Sequence, residues 1–177
     1  MLEPIRRVVT GHSTASKSLI LFDGTVRPGP DLPTDAYLWV SDATPASNRG
    51  LIDAAARSVK LAPPKGGSVF RFVSFPPASA FAAMSPEEIE RVMAGLFEQL
   101  GATDARVDMS RGPGMHRTHT LDYIVLLSGE LTLVLDEGEV DLKPFDVVVQ
   151  RGTNHGWVNK GQTPALVAAV MIDAEPI

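Results

Sequence analysis

The sequence predicts an all-β domain, a barrel or sandwich of short strands with one helix on its outside. Three observations carry that prediction. Beyond residue 105, short apolar and β-branched runs recur at regular spacing, divided by turns that contain Gly or Pro. One of these runs, Leu131 to Asp136, alternates Leu131, Leu133 and Leu135 with Thr132, Val134 and Asp136, the period-two pattern of a strand with one buried face. Only residues 86–100 combine an apolar helical stripe with start and stop signals.

Arg6 to Gly11 and Ser18 to Phe22 are apolar or β-branched runs separated by the small polar stretch Ser13 to Lys17, which reads as a hairpin with His12 in its loop. Residues 27–36 are rich in proline and read as loop. Tyr37 to Val40 is a short strand. Leu51 to Lys60 has some helical propensity, but Ala62-Pro63-Pro64-Lys65-Gly66-Gly67 ends any element there, and the segment is read as irregular. Ser68 to Phe75 is a strand that Pro76-Pro77 stops. In the helix, Ser85 caps, Pro86 takes the first position and Glu88 completes a capping box. Ile89, Val92, Met93, Leu96 and Leu100 form its stripe, which packs on the barrel or covers its mouth, and Gly101 ends it. The meander then runs through Asp122 to Leu127, Leu131 to Leu135, Val140 to Lys143, Val147 to Gln150 and Ala165 to Ile172. The expected organisation is one domain over 1–177, with strands and loops in 1–84, the helix at 86–100 and the barrel in 105–175.

Composition bounds the function. With 44% hydrophobic and 21% charged residues the chain is of globular type. The net charge is −5 with no basic cluster, so a nucleic-acid partner is not expected. The absence of cysteine excludes disulfides, thiolate nucleophiles and Cys-ligated metals. Met1 to Arg7 lacks the apolar run of a secretory signal, and no stretch approaches the roughly 20 apolar residues of a membrane span. A cytoplasmic location is the expectation.

The chemistry-bearing residues concentrate late in the chain. Of the four histidines, His116, His119 and His155 lie in the meander and His12 does not. A metal site needs imidazoles and carboxylates converging from different strands, and two or three of these histidines with Asp122 or Glu130 have that composition. On a regular strand His116, Thr118, Thr120 and Asp122 share one face and His119 points away from it. Arg151 is either an exposed turn residue or a partner for an anionic substrate.

The segment from Gly112 to Asn159 resembles the two motifs of the cupin superfamily. Gly129 stands where the first motif ends in glycine, Asp122 holds the carboxylate position seven residues earlier, and His116 falls on the first histidine. Thr118 occupies the second histidine position, with His119 one residue late. Gly152, His155 and Asn159 match the second motif's spacing in full, while Gln150 replaces its opening proline and Pro144-Phe145-Asp146 replaces a Pro-Gly-Asp turn. The sequence is similar to a bacterial group of single-domain cupins.

The resemblance implies a double-stranded β-helix, or jelly-roll barrel, and a small-molecule site inside it. One reading is an enzyme with a divalent metal (Fe, Mn, Ni or Zn) on His116, His155 and Asp122, acting as a dioxygenase, decarboxylase or lyase on a carbonyl or carboxylate metabolite. A second is a metal-free isomerase, dehydratase or lyase with His155 or His116 as general base, which Thr118 in a ligand position motivates. A third is a binding module without turnover. Thr118, Thr120, Tyr123, Gln150 and Trp157 are the expected pocket residues around either chemistry. The family resemblance also implies a homodimer paired through the N-terminal strands.

Overall fold

The computed structural model describes residues 2–29 and 32–176. Met1 of the N-terminal reading, residues 30 and 31 of the proline-rich loop, and Ile177 lie outside the described residues. The chain opens with β1 (Ile5–His12) and β2 (Ser18–Val26), an antiparallel hairpin with a bulge at Val9/Thr10. Ser13 Oγ accepts from the backbone N–H groups of Ala15 and Lys17, which is why a small hydroxyl residue suits this turn. His12 ends β1 opposite Ser18 instead of sitting in the loop.

Five strands form the main sheet: β3 (Asp35–Ser41), β4 (Ser68–Phe75), β5 (Thr120–Ser128), β8 (Val147–Arg151) and β10 (Ala165–Asp173). Three more, β6 (Leu131–Leu135), β7 (Glu139–Leu142) and β9 (His155–Val158), form a smaller sheet. Their orders are β3-β4-β10-β5-β8 and β7-β6-β9, antiparallel throughout. The two sheets face each other. Val73, Ile124, Leu126, Val167 and Ala169 of the larger one share a core with Leu131 of the smaller, and Leu142 and Trp157 pack against it. This is the double-stranded β-helix expected from the sequence.

Several boundaries differ from the sequence reading. β3 begins at Asp35, so the proline-rich loop is shorter than 27–36. β9 was hidden by Gly156, a residue that disfavours strands, and it forms because β6 and His116 supply its hydrogen-bond partners. β6 does not have one buried face and one exposed. Leu131, Thr132, Leu133 and Val134 are all buried, the largest exposure among them being 6%. The outer side is covered because the loop before His116 folds over it, with Met115 Sδ placed where a side chain on Gly156 would have to go. Thr132 satisfies its hydroxyl by donating to Asp141 at 2.6 Å. The segment between β3 and β4 is irregular as expected.

The helix α1 (Pro86–Gln99) starts as anticipated: the Ser85 N–H donates to Glu88 Oε2 at 2.7 Å, and the Glu88 N–H donates back to Ser85 Oγ at 3.3 Å. Its most buried residue is Phe97, which lies beside the expected stripe. Arg106 holds the helix down. Its Nη2 donates to both oxygens of Glu90 and to the Pro113 carbonyl, and the guanidinium lies 5.6 Å from the Phe97 ring centre. Among the described residues no helix is long and apolar enough to cross a membrane.

Candidate functional site

His116 and His155 meet through the backbone. His116 N donates to His155 O at 2.8 Å and His155 N donates to His116 O at 2.9 Å, an antiparallel bridge that places both side chains on the same side. The ring centres are 4.3 Å apart, tilted by 47°. Phe97 from α1 packs on His116 at 5.0 Å, and Trp157 stands edge-on to His155 at 5.8 Å. Two residues far apart in sequence are thus locked together by main-chain geometry.

Each imidazole is also oriented by a carbonyl. His116 Nδ1 lies 3.1 Å from Gly114 O, and His155 Nδ1 lies 3.0 Å from Thr153 O. A carbonyl only accepts, so both Nδ1 atoms carry hydrogen and both Nε2 atoms present lone pairs. Burial pushes the His116 imidazolium down to about 3, helped by His155 beside it. Burial lowers His155 as well; its bond to Thr153 opposes the shift and Arg71 adds to it. Both rings are therefore neutral across the physiological range, each with an unprotonated Nε2. Asp122 moves the other way: burial raises its carboxyl to about 6, against the pull of Thr120 and Arg71. Its Oδ1 is buried without a hydrogen-bond partner.

The three groups line one cavity of about 730 Å³, walled by the facing sheets and by α1. This volume is that of a site for a drug-sized molecule. Trp157 lines the cavity as expected. Thr118, Thr120 and Gln150 are buried but do not line it. The two threonine hydroxyls are 2.6 Å apart and satisfy each other, and Gln150 donates to the Thr153 carbonyl and hydroxyl. Tyr123 is a correction: it is 46% exposed, because Asp122 and Ile124 take the inward positions of β5 and alternation turns Tyr123 outward. His119 and Arg151 are exposed.

Asn159 of the second motif has a structural task, donating to Phe75 O and Thr163 O and accepting from Gly161 N. Gly129 is required because its φ is +81° and a Cβ there would lie 2.8 Å from Ala165 Cα. Sequence reasoning missed Arg71, a cavity-lining arginine on β4 whose Nη1 donates to Asp35 Oδ1 at 2.9 Å. The signal was its spacing: it stands between Val69 and Val73, both inward, at period two.

The expected metal set fits poorly. His116 and His155 present two nitrogen donors, but Asp122 does not join them: among the described residues no three His, Asp or Glu side chains form a metal-holding group. Thr118, where the family's second histidine stands, has committed its hydroxyl to Thr120. As folded, His116 and His155 make a neutral imidazole pair and Asp122 stands apart from it.

Residues 106–172 match the family described as Cupin domain. The chain is 46% identical over 87 residues to phomopsin biosynthesis cluster protein D of Diaporthe leptostromiformis, a match covering 47% of this chain and 46% of that one. It is 34% identical over 89 residues to the cupin-domain-containing oxidoreductase fogC of Aspergillus ruber, covering 47% and 44%. The chain thus spans about half the length of these curated relatives. Both are fungal, so they do not support the bacterial grouping expected from the sequence. A cupin 2 conserved barrel protein from Salinispora arenicola aligns at 18% identity and a TM-score of 0.37 over 60% of this chain and 64% of its own.

Proposed function

We propose that this chain, residues 106–172 of which match the family described as Cupin domain, is a small-molecule enzyme that moves a proton at a carbon next to a carbonyl. The observation that carries it is the pairing of two neutral imidazoles, both with Nδ1 tied to a carbonyl, on the wall of a cavity shared with an acid that titrates near 6. Groups with opposed shifts in one cavity are the usual basis for dividing base and acid roles.

In this reading His155, with His116 as the alternative, accepts the carbon-bound proton at Nε2. The electron pair of that C–H bond becomes the enol double bond. Protonated Asp122 gives its hydrogen to the carbonyl oxygen. Where the neighbouring carbon bears a hydroxyl, the product is an enediol. As that hydroxyl's proton passes to Asp122 and its carbon becomes the new carbonyl, the histidine returns the first proton to the former carbonyl carbon and completes an isomerisation. Expulsion of a leaving group with its bonding electrons from the carbon beyond the enol, the enol O–H proton passing back to Asp122, completes an elimination. The Nδ1 contacts hold the rings in place, and α1 supplies an apolar wall.

Metal-dependent chemistry on His116 and His155, with Fe, Mn, Ni or Zn, is the second reading. The oxidoreductase name carried by relatives such as fogC favours it, and it needs a third ligand from outside the pair. One experiment separates the two. Protein stripped with a chelator is incubated in D₂O with a panel of 2-oxo and 3-oxo acids, and deuterium uptake is followed by NMR. The proposal expects uptake at the enolisable carbon that chelation does not alter and that His155→Gln abolishes. Uptake that chelation removes and Fe(II) or Zn(II) restores contradicts it. The expected homodimer belongs to this proposal too: Val8 and Ile20 of the β1–β2 hairpin are 47% and 61% exposed, available to a second copy. Light scattering on a sizing column measures it, and a monomer mass across micromolar concentrations refutes it.

A further inference from the structure

Arg71 is unexplained by the proton-transfer chemistry. It projects from β4 into the barrel, opposite Tyr37 on β3 and Ala169 on β10. Its side chain is only 12% exposed. Asp35 engages Nη1, while Nε is buried with no acceptor. Two strands beyond it, Asp122 holds a buried Oδ1 that is also unpartnered. On the intervening strand β10, Arg71 is opposite Ala169 and Asp122 is opposite Met171, two residues further along the same face. A buried guanidinium with unused N–H groups is costly unless something supplies acceptors.

The rest of the wall has the opposite character. Leu61, Ile89, Met93, Leu96, Phe97 and Leu100 line the cavity under α1. The site therefore has one cationic station at the sheet and a long apolar run towards the helix.

We propose that the cavity takes monocarboxylic acids with an extended apolar tail, the carboxylate held by the Arg71 guanidinium and the tail lying beneath α1. The planar fork of arginine matches a carboxylate in geometry and charge. A phosphate, which carries up to two charges, is a poorer fit to a single guanidinium already shared with Asp35. An ammonium head group would leave Nε without its acceptor. The inference rests on the reading that the His116–His155 cavity is the substrate site, and it names the class of acid that enters.

Calorimetric titration of the full chain with dodecanoate, dodecanol and dodecylammonium tests this directly. Dodecanoate is expected to bind at least roughly tenfold more tightly than dodecanol, as suits a charge-assisted contact, with dodecylammonium weakest. Arg71→Lys, which keeps the charge but not the fork, is expected to narrow that preference, and Arg71→Gln to remove it. Because Arg71 pairs with buried Asp35, a tail-side variant guards against misfolding: Leu96→Trp is expected to weaken dodecanoate while leaving hexanoate unchanged. Dodecanol binding as tightly as dodecanoate, or dodecanoate unaffected by Leu96→Trp, overturns the proposal. His155→Gln, titrated in parallel, separates it from the catalytic reading. Retained dodecanoate binding with lost deuterium uptake upholds both. Deuterium uptake on short oxo acids without any dodecanoate binding overturns this inference alone.

Discussion

Asp122→Asn tests the electrostatics of the cavity most simply, because it removes a charge and almost no volume. Asp122 is 3% exposed, its Oδ1 has no partner, and its carboxyl is raised from 3.8 to about 6. A group that holds its proton more tightly when folded favours the folded state while protonated. Its contribution is greatest below about pH 4, falls as pH rises from 3.8 to about 6, and stays lost above that. A shift of roughly two units at about 1.4 kcal/mol each makes ionised Asp122 cost about 3 kcal/mol at pH 8. Asparagine carries no such cost. The variant is expected to be more stable than the parent by up to about 3 kcal/mol at pH 8, which for a chain of this size raises Tm by roughly 6–12 °C. Near pH 3.5, where both side chains are neutral, the difference should nearly vanish. Thermal unfolding at several pH values measures it. The histidine contributions are common to both proteins and cancel. A variant less stable than the parent at pH 8, or a gain that does not change with pH, would refute the reasoning and show that the carboxylate has an ionic partner in the fold.

Turnover should require neutral His155 and protonated Asp122, so the rate is expected to fall as pH rises past about 6. A pH–rate profile checks this, with His155→Gln expected to lower the rate by about 10²–10⁴-fold. A rate that climbs from pH 6 to 9 would rule out Asp122 as the acid. Phe145 is 79% exposed and has φ +74°, standing where the family turn places glycine. Phe145→Gly should therefore stabilise the protein by up to about 1 kcal/mol, read from urea unfolding, and a loss would contradict the account. Gly129→Ala should destabilise by about 2 kcal/mol or more, since the added Cβ meets backbone at 2.8 Å in a left-handed turn. An unchanged Tm would show that the turn can relax.

Where the sequence was legible, the residues themselves dictated the geometry. Ser85, Pro86 and Glu88 specify a helix start through their own hydrogen bonds, and the start is where they place it. Gly129 and Gly152 fix left-handed turns that few other residues tolerate, so their spacing revealed the barrel. The His116–His155 meeting was legible only through the family motifs, because it depends on a bridge between strands 39 positions apart. Arg71 was missed because its immediate neighbours outweighed the period-two spacing it shares with Val69 and Val73. Flanked by Phe70 and Phe72, it reads as a charged residue in an apolar strand and would be placed outward. Yet Phe70 is 36% exposed while Val69 and Val73 are buried, so the strand turns Phe70 out and its arginine in. Asp122 was found as a carboxylate, but that it stands apart from the histidine pair was not, since convergence in space is something spacing cannot report.

The account depends on both cavity histidines being neutral, with hydrogen on Nδ1 and a free lone pair on Nε2. Nitrogen NMR of protein labelled at histidine reads this without knowledge of any substrate. The account predicts that His116 and His155 both show the Nδ1–H tautomer, that both protonate only below the ordinary histidine midpoint of about 6.5, and that His116 does so near pH 3. Protonation of either ring at or above that midpoint, or hydrogen on Nε2, would contradict it.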